Sequence, residues 1–372
     1  MTPADPVDQL ESFLAQDPSN IALVSESVHA AVRSGQNERA RAILERSRAA
    51  VAGDAPLRHL EATILLAENR FTEARELLTG LVRDGADAPG VLFNLGYAAL
   101  RAGDPAAGAS VLQGLLEHPD AAPETLTWLL RCQLHAGHPE HALESWRVAP
   151  LPLRTPEATG VASLASFDAD LADEARRLAD DALAAGARSL EPIVVRASLA
   201  LMDGDFSNAD ALLERGRRVM PEDPRLHFTC GLAFLLRGLP AEANGEFRFA
   251  VARQPAHAGG WIAFAWSSIF TGNLAEARDS LEHAMALDRN FAETHGALAV
   301  VDALQGHREA AQSGIDRASR LDRNSMAWRY AEAVLQGAHH DAATLRSRVD
   351  ELMARRPDKA RFALLARMRR PN

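Results

Sequence analysis

The sequence is poor in the residues that hold small extracellular domains together. It contains only two cysteines, Cys132 and Cys230, in the whole chain. Two cysteines so far apart argue against both a disulfide framework and a cysteine-rich metal site. No apolar run approaches the roughly 18 residues that a transmembrane helix needs, and the first residues lack the basic and apolar regions of a signal peptide. We therefore predict a soluble, cytoplasmic protein without a membrane-inserted segment.

Lysine, aromatic side chains and catalytic motifs are scarce as well. Lys359 is the only lysine, and aromatic residues make up 5% of a chain that is 47% hydrophobic. This composition favours closely packed helices over sheets. The chain contains no nucleophile-elbow motif, no zinc-protease histidine pair and no glycine-rich phosphate loop. We predict that the protein is not an enzyme and has no catalytic residues, metal ligands or cofactor.

The acidic and basic residues are unevenly distributed. The whole chain carries a formal net charge of -10, with a net of -14 in residues 1–223 and of +4 in residues 224–372. A general nucleic-acid binder needs a basic surface to neutralise phosphates. The charge therefore argues against a nucleic-acid partner, and we expect a protein or peptide partner instead.

What the chain does contain is internal repetition at a constant interval. Gly238, Gly272 and Gly306 are equally spaced and mark one column of the repeat, and apolar residues follow each glycine at fixed offsets. These further columns are Ala243, Ala277 and Ala311; Phe247, Leu281 and Ile315; and Ala250, Ala284 and Ala318. Toward the N-terminus, the glycine column continues with Gly35, Asn69, Gly103 and Gly137. Asparagine can replace glycine there because both accept the left-handed conformation that ends a helix.

A period of about 34 residues, with glycine and alanine spaced in this way, resembles the tetratricopeptide repeat family. The resemblance covers nearly the whole chain and implies an all-α, right-handed superhelical solenoid of antiparallel helix pairs. We predict one continuous array with these parts: a capping half-repeat (1–20), repeats 1–4 (21–155), repeats 5–9 (156–325), and a degenerate tenth repeat with a capping helix (326–372). Three prolines, Pro150, Pro152 and Pro156, predict an irregular loop, because proline cannot continue a helix.

The resemblance also implies a concave groove lined by the first helix of each repeat. The candidate partner-binding residues are then Phe93, Asn94, Tyr97, Arg131, His135, Phe228, Leu232, Ile262, Trp266, Ile269, Val300 and Tyr330. A solvated surface with so many large apolar side chains indicates an interaction site. The alternative is that neighbouring helices or the C-terminal cap bury them. We expect Trp261 to pack inside its repeat and Trp266 to face the groove, since five helical positions rotate a side chain by about 500°.

The resemblance implies a non-enzymatic scaffold or adaptor that binds an extended peptide or an amphipathic helix of a partner protein. An alternative is a peptide-responsive regulator or chaperone of a secretion or assembly system, whose superhelix changes shape on binding. Family members that clamp C-terminal carboxylates use lysines and asparagines, and Asn94 is the only groove residue of that kind here. His135, His138 and His141 cluster in sequence, and we interpret them as a polar turn rather than a metal site.

Overall fold

The computed structural model describes residues 5–51 and 54–337. All regular secondary structure in these residues is helical, with twenty α-helices and one short 3-10 helix. The predicted all-α class is therefore confirmed. No helix in the described ranges is long and apolar enough to cross a membrane.

The chain divides into two compact units, Met1–Ala187 and Arg188–Asn372. The first unit contains α1 (Pro6–Gln16), α2 (Ile21–Arg33), α3 (Asn37–Ser47), α4 (Asp54–Ala67), α5 (Phe71–Arg83), α6 (Pro89–Arg101), α7 (Pro105–Leu115), α8 (Glu124–His135), α9 (Pro139–Val148), α10 (Pro156–Asp168) and α11 (Ala172–Ala184). The second unit contains α12 (Glu191–Asp203), α13 (Phe206–Val219), α14 (Pro224–Leu236), α15 (Pro240–Arg253), α16 (Ala258–Phe270), α17 (Leu274–Leu287), α18 (Ala292–Leu304), α19 (Arg308–Leu321) and α20 (Met326–Leu335).

Consecutive helices pack as pairs within each unit, from α2–α3 to α10–α11 and from α12–α13 to α18–α19. Short turns join the two helices of a pair. The residue at the turn column has a left-handed backbone, with φ of 85° at Gly103 and 60° at both Asn69 and Asp170. The turn positions expected from the glycine column are thus confirmed, because only residues tolerant of positive φ occupy them.

Small residues let the helices of a pair approach closely. A Cβ atom on Gly96 of α6 would lie 2.5 Å from the side chain of Leu112 on α7, and one on Gly108 would lie 2.8 Å from the Gly96 carbonyl oxygen. In neighbouring pairs, Ala74 and Ala142 occupy the same column as Gly108 and are fully buried. Larger apolar residues beyond this column then fill the interior of each pair.

A recurring hydrogen bond ties three helices of the second unit to the loop before them. A ring nitrogen near the start of each helix is paired with a carbonyl oxygen of the preceding loop. The pairs are His227 with Pro221 at 2.9 Å, Trp261 with Pro255 at 2.8 Å, and His295 with Arg289 at 2.8 Å. The three rings occupy the same position in successive repeats. One repeat later, Arg329 at the same position donates to the Arg323 carbonyl at 2.8 Å, so the column supplies an N–H donor that satisfies a loop carbonyl.

Three features predicted along the chain have different outcomes. The proline-rich loop is confirmed, with only a 3-10 turn at Leu151–Leu153 between α9 and α10. Of the range predicted for the degenerate tenth repeat, residues 326–337 are described and contain α20, and the repeat itself stays a prediction. The capping helix predicted near the C-terminus and Lys359 lie in residues 338–372, outside the described residues.

Candidate partner-binding surfaces

Two neighbouring helices of the first unit carry five of the candidate groove residues. Phe93, Asn94 and Tyr97 lie on α6, and Arg131 and His135 lie on α8. Their spacing of three or four positions places them on one face of each helix. The first four are partly exposed and His135 is exposed. These side chains are therefore accessible at the surface of the first unit.

An aromatic row connects three helices at this surface. Phe71 of α5 lies edge-on to Tyr97 with ring centroids 6.2 Å apart, and Tyr97 lies edge-on to Trp128 of α8 at 4.7 Å. The guanidinium carbon of Arg101 lies 4.1 Å from the centroid of the Phe71 ring, and that of Arg131 lies 4.7 Å from the Trp128 centroid. We call these five residues the aromatic ladder. Its rings and cations are held together by edge-to-face and cation–π contacts.

Sequence reasoning missed three members of the ladder. The repeat register contained the signal for two of them, since Trp128 lies one repeat after the candidate Asn94 and Arg101 lies one repeat before the candidate His135. Phe71 is the first residue of a second helix, so a search restricted to first helices could not find it.

A polar row borders the ladder on the side of the first repeats. The side-chain nitrogens of Asn94 and His59 are 3.0 Å apart, and His29 Nδ1 lies 3.3 Å from the Ser25 hydroxyl. Burial, followed by the nearby His29, lowers the pKa of His59, and burial likewise lowers that of His29. Both imidazoles are consequently neutral at pH 7. This border therefore offers hydrogen bonds but no positive charge from histidine.

The candidate residues of the second unit are mostly core residues. Ile262, Trp266, Ile269 and Val300 have exposed fractions of 8%, 9%, 7% and 0%. The ring of Trp266 lies 5.7 Å from Phe270 and 5.6 Å from Tyr330 between centroids. Trp261 packs within its repeat as expected, since it stacks on His283 of α17 at 4.5 Å, whereas Trp266 is buried rather than accessible on a groove face.

Gly296 explains why Trp266 is covered. It lies on α18 at the column that Tyr330 occupies on α20, one repeat later. A Cβ atom at Gly296 would lie 2.5 Å from the backbone nitrogen of Trp328, so the missing side chain lets α20 approach α18 closely. Tyr330 then reaches across to the indole of Trp266, which belongs to the much earlier helix α16.

The remaining candidates of the second unit are partly exposed. Phe228 and Leu232 lie on α14, and Tyr330 lies on α20. Phe228 has ring contacts at 5.6 Å with both Phe247 and His257. This surface is apolar, and the Phe228 ring is partnered within the unit.

The histidine cluster lies at the turn between α8 and α9. His138 and His141 are exposed, with ring centroids 5.1 Å apart. Among the residues that the structure describes, no group of three or more His, Cys, Asp or Glu side chains is arranged to hold a metal ion.

The two cysteines are buried and free, and burial raises the pKa of Cys132 to about 12 and that of Cys230 to about 11.

Comparison with known proteins supports the repeat assignment. A sequence model of the tetratricopeptide repeat family matches residues 59–124. No curated protein sequence matches the chain significantly. Among solved structures, the APC/C hetero-tetramer Cut9-Hcn1 matches with a TM-score of 0.61 and 15% identity, over 85% of this chain and 62% of that chain. The human IFIT1 dimer with m7Gppp-AAAA matches with a TM-score of 0.57 and 15% identity, over 98% of this chain and 95% of that chain.

At 15% identity, these structural matches establish a shared fold and nothing about ligands. The present chain spans 62% of the length of the Cut9-Hcn1 chain that it matches. The family match runs from His59 in α4 to Glu124 at the start of α8, so it includes Phe71, Tyr97 and Arg101 of the aromatic ladder. Residues 59–124 thus match tetratricopeptide repeats in sequence, and the helix pairs with their left-handed turns continue the same repeat architecture through the described residues.

Proposed function

We propose that the protein is a non-enzymatic scaffold that binds a peptide segment of a partner protein on the aromatic ladder of its first unit. The observation that carries this proposal is the row of partly exposed Tyr97 and Trp128 flanked by Arg101 and Arg131. Tyrosine, tryptophan and arginine are the residue types that contribute most to binding energy at protein interfaces. A surface that presents all three together is suited to a peptide ligand.

The second unit supports this choice by contrast. Its large groove side chains Trp266, Ile269 and Val300 are buried in the unit, so they stabilise the fold instead of being available to a ligand. The first unit keeps its rings accessible because arginine side chains, rather than further helices, lie over Phe71 and Trp128. Arg101 lies over the face of Phe71 and uses one terminal nitrogen for the Tyr97 hydroxyl, so further N–H donors at its guanidinium edge can reach a ligand.

Two structural neighbours bear on the class of partner. Cut9-Hcn1 is a protein–protein complex, whereas the IFIT1 structure holds a capped RNA. The first unit, residues 1–187, has 27 acidic and 15 basic residues, a net charge of -12. A field of this sign repels a polyanion, so it favours a protein partner over RNA.

The proposal is tested with the purified chain on an array of random dodecamer peptides. Peptides that bind the wild type should bind the double variant Tyr97→Ala, Trp128→Ala about tenfold more weakly or worse. This is the effect of removing side chains that dominate the binding energy of an interface. Phe13→Ala is the control, because Phe13 is a 44% exposed ring on α1 away from the ladder. Peptides that bind the double variant as well as they bind the wild type would place the partner site elsewhere.

A further inference from the structure

Arg101 differs from most arginines of the first unit. Arg58, Arg75 and Arg147 contact carboxylates, at 2.7 Å to Asp84, 3.4 Å to Asp104 and 2.7 Å to Glu174. Arg101 has no carboxylate partner within residues 5–51 and 54–337. A guanidinium with five N–H donors is thus left without an anion in a strongly acidic unit.

The Arg101 side chain is nonetheless held in place. One terminal nitrogen donates a hydrogen bond to the Tyr97 hydroxyl at 2.7 Å, and the guanidinium carbon lies 4.1 Å from the Phe71 ring centroid. Contact with the ring occupies one face of the planar group and leaves donors at its edge. A fixed guanidinium edge matches the two oxygens of a carboxylate, and little side-chain entropy remains to be lost on binding.

The ladder continues from this cation to an apolar platform. Tyr97 contacts Arg101 through its hydroxyl and Trp128 through its ring, at 4.7 Å between centroids. A ligand bound at Arg101 therefore has an aromatic surface within the reach of a neighbouring residue. A short peptide with an acidic side chain beside a large apolar one carries the two groups that complement this pair: a carboxylate for Arg101 and an apolar surface for Tyr97 and Trp128.

On the basis of the function proposed above, we propose that the ladder selects peptide segments in which an Asp or Glu lies beside an aromatic or aliphatic residue. Arg101 binds the carboxylate, and Tyr97 and Trp128 pack against the apolar side chain. One carboxylate meets the guanidinium directly, whereas an RNA strand would bring a phosphate at every nucleotide against a unit of net charge -12. The charge of the unit thus favours a ligand with few anionic groups.

The test uses paired peptides on the same array. Each peptide with Asp or Glu is printed beside its Asn or Gln isostere, and the preference is the ratio of the two affinities. For wild type we expect the acidic member to bind about tenfold tighter, the range of a charge-assisted hydrogen bond. Arg101→Gln should reduce that ratio to near one while the apolar requirement persists. Arg101→Lys should restore part of the ratio, since it keeps the charge but loses the planar donors.

Arg33→Gln is the matched control. Arg33 ends α2 at the same repeat position as Arg101, two repeats earlier, and His29 stands there in place of Tyr97. This variant should keep the full acidic preference. Circular dichroism of every variant checks that the helices are intact.

Three outcomes would overturn the inference. If peptides bind the ladder with equal affinity for acid and amide forms, the proposed function stands but the role of Arg101 falls. If no peptide binding depends on Tyr97 and Trp128, both proposals fall. If a fluorescent oligouridylate binds and Arg101→Gln weakens it while acidic peptides do not bind, the ladder is an RNA surface.

Discussion

At the residue scale, two tryptophans on α16 differ in burial and therefore in how much each contributes to the free energy of unfolding. Trp266 is 9% exposed between Phe270 and Tyr330, whereas Trp261 is partly exposed and donates to the Pro255 carbonyl. Trp266→Ala should leave a cavity and lower the free energy of unfolding by about 3 to 5 kcal/mol. Trp261→Ala should lower it less, because part of its ring is already in water.

Urea denaturation followed by circular dichroism measures both changes, and Trp266→Phe serves as the control that keeps an aromatic ring in the core. Equal midpoints for wild type and Trp266→Ala, or a lower midpoint for Trp261→Ala than for Trp266→Ala, would contradict the packing around Tyr330.

At the scale of the element, a partly buried carboxylate, that of Glu293, holds the start of α20. The two oxygens of Glu293 accept hydrogen bonds from the backbone N–H groups of Met326 and Ala327, each at 3.2 Å. These are the first residues of α20, whose N–H groups lack partners inside the helix. Burial is the largest influence and raises the pKa of Glu293 above its ordinary value. Glu293 therefore caps the N-terminus of α20, but its charged form is disfavoured because the carboxylate is partly removed from water.

The raised pKa of Glu293 predicts a pH dependence with a definite sign. The folded state binds this proton more tightly than the unfolded state does, so its contribution to stability is full below pH 4.5 and declines as pH rises through the folded pKa. Glu293→Gln should therefore gain stability relative to wild type as pH increases across that window. Urea midpoints measured from mildly acidic to slightly alkaline pH report the difference.

Glu68 is the control of opposite sign. A hydrogen bond from Arg41 is the main reason that the pKa of Glu68 is lowered, so its contribution is present above pH 4.5 and is lost as pH falls through the folded pKa. The stability deficit of Glu68→Gln should accordingly shrink in acid. A pH-independent difference between Glu293→Gln and wild type would show that the Glu293 charge is not desolvated.

At the scale of the whole molecule, the repeats predict that one period can be removed. Deleting residues 224–257 takes out α14 and α15 and joins Asp223 to Ala258, the first residue of α16. Asp223 already caps α14 by accepting from the Arg225 backbone nitrogen, and it would cap α16 in place of His257. We expect a folded, shorter protein with the helical content of its remaining pairs.

Circular dichroism and size-exclusion chromatography check this deletion. A control deletion of residues 224–239 removes α14 and its turn but keeps α15. This control should aggregate, because it exposes the apolar face of the helix that has lost its partner. Loss of helical signal after the full-period deletion would contradict an additive array.

The sequence by itself determined the features that depend on local chemistry. The turn column requires a residue that accepts positive φ, so Asn69, Gly103 and Gly137 indicate where helix pairs reverse without knowledge of any distant contact. The small column at Ala74 and Gly108 likewise follows from the close approach of helices adjacent in sequence. Period, helix pairing and all-α class were therefore predictable.

Only the tertiary structure decided which side chains of a predicted face remain accessible. Gly296 admits α20 so closely that Tyr330 covers Trp266, and no pattern within α16 records the approach of a helix so much later in the chain. The aromatic ladder is likewise set by packing, because Phe71 belongs to a second helix and meets Tyr97 only when α5 lies against α6. Periodicity assigns a residue to a face of its helix, but solvent exposure depends on how closely the next helices approach.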